Sequence, residues 1–200
     1  RTKYRIFLGK NGHNAILFKR KNGQNLCNYM IDRCLDGLIK NHYENSRNAL
    51  LLSGARQVGK SYAIRKYGKA NYSCFVEINF IEQPEAIRIF QNATSSSDLL
   101  LRLSTFVQQT LLKGETLIFF DEVQAYPDVL TWIKFLVDSA EYKYALSGSL
   151  LGVQLNDIRS IPVGYLSEME VFPLSFEEVV RAVGVGDITI NSLRESWNNH

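Results

Sequence analysis

Eight consecutive residues, Gly54-Ala55-Arg56-Gln57-Val58-Gly59-Lys60-Ser61, fill the template Gly-x-x-x-x-Gly-Lys-[Ser/Thr] at every position, directly after the apolar run Ala49-Leu50-Leu51-Leu52. A short continuous apolar run suits a central strand covered on both faces. The glycines let the backbone wrap closely, so that successive N–H groups point at one anion. A helix opening at about Lys60 adds its positive N-terminal end. Within such a loop Lys60 reaches the β- and γ-phosphates of a nucleotide, and the Ser61 hydroxyl ligates Mg²⁺. The helix is expected to stop at Gly68, where a residue without Cβ adopts a left-handed cap at little cost.

The remainder of the chain alternates in the same manner. Periodicity predicts a strand over 74–80, helices over 83–91 and 97–112, and a strand over 116–121. A helix over 127–140 follows, with Pro127 in its first turn, then a strand over 143–148 and an extended stretch over 165–172. The capping box Ser175-x-x-Glu178 opens a helix over 175–183. Ahead of the first strand, Ile31, Cys34, Leu35, Leu38 and Ile39 have the spacing of one helix face. Strands alternating with helices imply an α/β fold with a parallel sheet between two helical layers. Residues 4–8 and 15–19, around Gly9-Lys10-Asn11-Gly12, read as a loose hairpin, and the pattern weakens after Gly184 and Gly186.

A second cluster carries chemistry. Leu117-Ile118-Phe119-Phe120 is followed at once by Asp121-Glu122. An apolar strand that delivers carboxylates at its C-terminal end places them where α/β sheets bind ligands. This is the Walker B arrangement, in which Asp121 holds Mg²⁺ and Glu122 orients or deprotonates an attacking water. The next strand ends in Leu146-Ser147-Gly148-Ser149, and if it lies beside the others, Ser147 or Ser149 is placed to sense the γ-phosphate or the water. Arg56 is a candidate contact to a neighbouring subunit or a C-terminal domain, with a solvated side chain as the alternative, and Trp132, with Val129, Ile133 and Leu136, is read as core.

Composition narrows the class. With 200 residues, 46% of them hydrophobic, the chain can bury one full core. No apolar run approaches the roughly 20 residues of a membrane span, and no signal sequence opens the chain, so a soluble, cytoplasmic protein is expected. Cys27, Cys34 and Cys74 lack zinc-site spacing and read as ordinary thiols. Residues 1–30 hold seven basic residues and no acid, leaving 16 basic residues against all 20 acids in the rest. The basic arm is a candidate for binding nucleic acid.

The combination of Gly54–Ser61, Phe119-Phe120-Asp121-Glu122-Val123-Gln124, Leu146-Ser147-Gly148-Ser149 and Phe172-Pro173-Leu174-Ser175-Phe176-Glu177-Glu178 resembles an AAA-type (AAA+) ATPase family of archaea and bacteria, over about residues 30–183. The resemblance implies a P-loop NTPase with five parallel strands in the order 5-1-4-3-2, ATP and Mg²⁺ as ligands, and a C-terminal partner domain of uncertain function starting near residue 190. It divides the chain into a basic extension over 1–29, an ATPase domain over 30–184, and a linker or domain start over 185–200. Homo-oligomers are compatible with it. Against the family's usual Gly-Pro-Arg-Gln-Val-Gly-Lys-Thr, Ala55 and Ser61 are mild departures. A larger one is Gly164-Tyr165, where a Gly-Arg pair is usual; if that arginine meets the γ-phosphate, turnover here is slow or partner-dependent, with Arg159 as a nearby substitute. The leading expectation is Mg²⁺-dependent ATP hydrolysis that drives or gates a partner. The alternatives are a nucleotide-gated switch with little turnover and a P-loop kinase acting on a small molecule, the latter disfavoured by the Asp121-Glu122 pair.

Overall fold

A computed structural model describes residues 33–149, 164–182 and 184–198. The loose hairpin, the basic arm, Cys27, Ile31 and Arg159 lie outside them. Five strands form one parallel sheet: β1 (Ala49–Ser53), β2 (Cys74–Asn79), β3 (Thr116–Asp121), β4 (Lys143–Ser147) and β5 (Leu166–Glu170), in the spatial order β2-β3-β4-β1-β5. Read from the other edge this is 5-1-4-3-2, the order implied by the resemblance.

The helices are α1 (Cys34–Asn45), α2 (Lys60–Asn71), α3 (Ile87–Gln91), α4 (Ser96–Val107), α5 (Val129–Asp138), α6 (Phe176–Ala182) and α7 (Asp187–Asn198). Alternation along each strand divides the core into two layers. Leu51, Val76, Ile78, Ile118, Phe120 and Leu146 pack with Phe90, Leu99, Leu103, Ile133 and Leu136 of α3, α4 and α5. Leu50, Leu52, Leu117, Phe119 and Ala145 pack with Leu35, Ile39 and Ile64 of α1 and α2 on the opposite face. All residues of β1 and β3 are buried, as strands covered on both faces must be. Trp132 packs at the margin of the first layer, and Tyr126 lies against the rings of Phe80 and Phe90 at centroid distances of 5.5 and 5.7 Å.

The structure departs from the periodicity reading in α1, in the segment 83–91, in α4 and in α2. In α1 the buried face is Leu35, Ile39 and Tyr43, while Leu38 is 51% exposed and Cys34 is exposed. A spacing of four rather than three faces the sheet, because Tyr43 reaches across to donate its hydroxyl to the Tyr144 carbonyl at 3.0 Å. The segment 83–91 divides into a 3₁₀ turn, Pro84–Ala86, and α3. Helix α4 stops at Val107 because Gln108 takes a left-handed conformation, φ 54°. Helix α2 runs past Gly68 to Asn71, so Gly68 is not its cap.

Gly68 instead makes room for a ring: a Cβ there would lie 2.3 Å from Phe75 and 3.1 Å from Leu117. Gly68→Ala is expected to destabilise the domain by about 2 kcal/mol, the overpacking penalty less the small helix-propensity gain. Chemical denaturation measures this, and a Gly68→Ala protein as stable as the parent would show that Phe75 yields freely.

Candidate functional site

Adjacent placement of β3, β4 and β1 brings three strand ends together. The phosphate-loop segment leaves β1 at Gly54, Asp121 ends β3, and Ser147 ends β4 in register with Leu52. Gly54 has φ +132°, and a Cβ on it would lie 2.3 Å from the Val171 carbonyl oxygen. Only glycine lets the chain turn out of the sheet this close to the segment after β5. Gly59, φ 95°, turns the loop into α2. Gln57 is also left-handed, φ 64°, while Ala55, Arg56 and Gln57 are exposed and Val58 is buried. The first turn of α2 presents N–H groups that no intrahelical carbonyl can accept.

Lys60 is largely buried and donates from Nζ to the carbonyls of Gly54, at 3.0 Å, and Ala55, at 2.6 Å. Burial lowers its pKa from the ordinary lysine value; nearby Glu122 and Asp121 oppose this, and Arg56 adds to it. The ammonium thus closes the loop on itself and lies beside the two acidic residues.

Asp121 is 2% exposed and forms the hub of the site. Its Oδ1 accepts from Ser61 Oγ at 2.8 Å, from Ser147 Oγ, and from the Glu122 N–H at 3.0 Å. Its Oδ2 faces Asn79 Nδ2 at 3.4 Å and Arg65 Nη2 at 3.5 Å. A buried carboxylate needs such partners. Ser61 and Ser147 are themselves 3.5 Å apart, Oγ to Oγ. A hydroxyl and a carboxylate are hard oxygen donors of the kind Mg²⁺ takes together with phosphates and waters, so the set fits this ion.

Glu122 is half-buried in a left-handed conformation, φ 56°, at the start of a 3₁₀ turn, Val123–Ala125. Strain of this sort at a strand end is characteristic of functional positions. Gln124 Nε2 donates to Glu122 Oε2, and Gln124 Oε1 accepts from the Ser149 N–H at 3.2 Å. The acid is therefore tied to the loop that follows β4.

A family model described as an AAA domain matches residues 46–180, more than half of the chain. The chain belongs to this AAA domain family. At that level it is a nucleotide-binding ATPase domain. Among solved structures, that of C. elegans PCH-2 is similar, at 11% identity and a TM-score of 0.42, over 70% of this chain and 39% of that one. The chain therefore spans about two fifths of the length of PCH-2. No curated protein matches.

Strand adjacency within the AAA domain brings Ser61, Asp121 and Ser147 together with Lys60 beside them, while Arg56 is exposed. Tyr165 lies elsewhere. Its carbonyl accepts from Ala49 N–H at 2.9 Å, at the N-terminal end of β1, and its ring lies 5.8 Å from Lys134 Nζ. Leu166 pairs with Ala49, so residue 165 is level with Asn48 and an arginine there would be about 20 Å of strand away from Gly54 in its own chain, six residues at about 3.3 Å each. Tyr165 consequently gives no reason, within one chain, to expect slow turnover.

Three residues near the hub were not legible as site residues. Arg65 forms a bidentate pair with Glu77, with contacts of 2.5 to 2.9 Å, while also facing Asp121. The Glu77 hydrogen bond raises the Arg65 pKa further. Asn79 and Gln124 complete the group. The one available signal was position: Asn79 ends β2 as Asp121 ends β3, in register. Among the described residues no helix is long and apolar enough to cross a membrane.

Proposed function

We propose that the chain hydrolyses ATP in a Mg²⁺-dependent reaction that drives or gates a partner region, the C-terminal domain implied beyond about residue 190. The observation that carries the reading is the convergence of the Ser61 and Ser147 hydroxyls on one carboxylate oxygen of Asp121, beside the loop that Lys60 closes. The residues Gly54, Ala55, Arg56, Gln57, Val58 and Gly59 supply backbone N–H groups to the phosphates. Lys60 exchanges its carbonyl partners for β- and γ-phosphate oxygens, which are stronger acceptors because they are charged. Ser61 Oγ and Asp121 would hold Mg²⁺, which would supply neutralisation of phosphate charge when bound.

Glu122 accepts a proton from the attacking water as the new oxygen–phosphorus bond forms, and the bridging bond to the β-phosphate breaks, with its electron pair leaving on ADP. Ser147 Oγ orients the water or the γ-phosphate. Lys60→Ala is expected to weaken Mg-ATP binding about 10- to 100-fold, the loss of one or two hydrogen bonds to charged oxygens. Calorimetric titration measures it, and unchanged affinity would remove the site from Gly54–Ser61. Product analysis separates this reading from a kinase: inorganic phosphate is expected, and stoichiometric phosphorylation of an added acceptor would overturn it.

A further inference from the structure

Arg33 stands just ahead of α1, and its side chain is only 10% exposed. A buried guanidinium needs acceptors arranged to match its planar fork. Here Nη1 donates to the Val58 carbonyl at 2.6 Å, Nη2 to the Phe172 carbonyl at 2.8 Å, and Nε faces Glu178 Oε1 at 3.5 Å. The three acceptors come from the phosphate loop, from the segment after β5, and from α6.

Glu178 is held as firmly. Its Oε2 accepts from the Ser175 N–H at 2.8 Å, and its Oε1 from the Cys34 N–H at 3.2 Å. The Ser175 hydroxyl in turn accepts from the Glu178 N–H at 3.2 Å, completing the capping box. Burial alone would push the Glu178 carboxyl up, but the Ser175 N–H, the charge of Arg33 and the Cys34 N–H together bring it below its ordinary value. The Phe172–Glu178 motif, prominent in the sequence and distant from Asp121, therefore seats the arginine that touches the loop.

The loop is held at two points. Lys60 ties its first half through Gly54 and Ala55; Arg33 ties its second half through Val58. Phosphate oxygens are acceptors only, so a nucleotide competes for cationic donors: the Lys60 ammonium belongs to the loop's own template, whereas the Arg33 guanidinium is already committed to Phe172 and Glu178 as well as Val58. When Lys60 turns to phosphate, Arg33 is the anchor that keeps the loop in place.

We infer that Arg33 is a positioning residue: by clamping Val58 to Phe172 and Glu178 it pre-organises the phosphate loop and so strengthens nucleotide binding. This rests on the reading that Gly54–Ser61 holds nucleotide phosphates. A preformed site binds more tightly because less ordering is left to do on binding.

The test measures Mg-ATP affinity by calorimetry, steady-state KM and kcat, and amide exchange of residues 54–61 without nucleotide, for the parent, Arg33→Ala, Arg33→Lys, Glu178→Gln and Lys60→Ala. Arg33→Ala is expected to raise Kd and KM about tenfold, the equivalent of one charge-assisted hydrogen bond, and to keep kcat within about twofold. Loop amides then exchange faster. Arg33→Lys recovers part of the loss, because one ammonium cannot span three acceptors; Glu178→Gln loses about threefold. Folded Arg33 variants with parental affinity, beside a weakened Lys60→Ala, would overturn the clamp and leave the site reading intact. Should Arg33→Ala fail to fold, Arg33→Lys and Glu178→Gln decide, and parental affinity in both overturns the clamp. A parent that binds no Mg-ATP, or a Lys60→Ala protein that binds as well as the parent, would remove the site reading and the clamp with it.

Discussion

Glu122→Gln is expected to lower ATP turnover about 10³-fold, within the 10²–10⁴-fold range of a general base, and to leave Mg-ATP affinity within about twofold. The substitution keeps the size of the side chain and an oxygen acceptor for Gln124, so the left-handed turn at φ 56° is preserved. What it removes is the ability to accept a proton from water. Single-turnover hydrolysis measured beside calorimetric binding makes the comparison. A Glu122→Gln protein that hydrolyses at the parental rate would assign the base elsewhere, with Ser147 and Gln124 the adjacent polar groups. Equal loss of binding and turnover would instead mean that Glu122 supports the loop beside Lys60 and is not the base.

Gly54→Ala is expected to destabilise the domain by about 3 kcal/mol or more, from left-handed backbone strain of 1–3 kcal/mol together with a direct clash. The clash is with backbone: the Val171 carbonyl oxygen at 2.3 Å and its carbon at 3.2 Å. Val171 cannot withdraw cheaply, because its N–H is bonded to the Ser53 carbonyl at 2.8 Å, continuing the pairing of β1 with β5. Relief would mean detaching the end of the β5 edge strand, and with it the segment on which Arg33 rests at Phe172. Against a usual total stability of about 5–15 kcal/mol the loss is large. The denaturant midpoint measures it, and an unaltered midpoint would mean that Val171 does not lie beneath Gly54 in solution.

These two residues differ in how they were legible. Glu122 could be singled out because a run of four apolar residues ending in two acids has few explanations beside a phosphate loop. Gly54 was legible as part of a template, but its contact with Val171 was not, since 117 residues separate the partners and no local pattern links them. Gly68 was misread for the same reason. Its absence of a side chain answers to Phe75 on β2, not to the end of α2. In α1, the three-four spacing placed Leu38 on the buried face, but the packing of Tyr43 under Tyr144 decided which side meets the sheet.

The alternation of strands and helices, the phosphate-loop template, and the carboxylates at the end of a buried strand could be read from the chain directly, because each is a local pattern with a period or spacing of its own. Strand order followed from the resemblance and not from periodicity. Long-range packing was needed to show that Ser61 and Ser147 donate to one oxygen of Asp121, that Arg33 reaches Val58, Phe172 and Glu178 at once, and that Tyr165 sits at the far end of the strand from the loop. Those facts depend on which strands are neighbours and where a long side chain finds its acceptors, and such pairings are set by the packing of distant segments and leave no repeat in the chain.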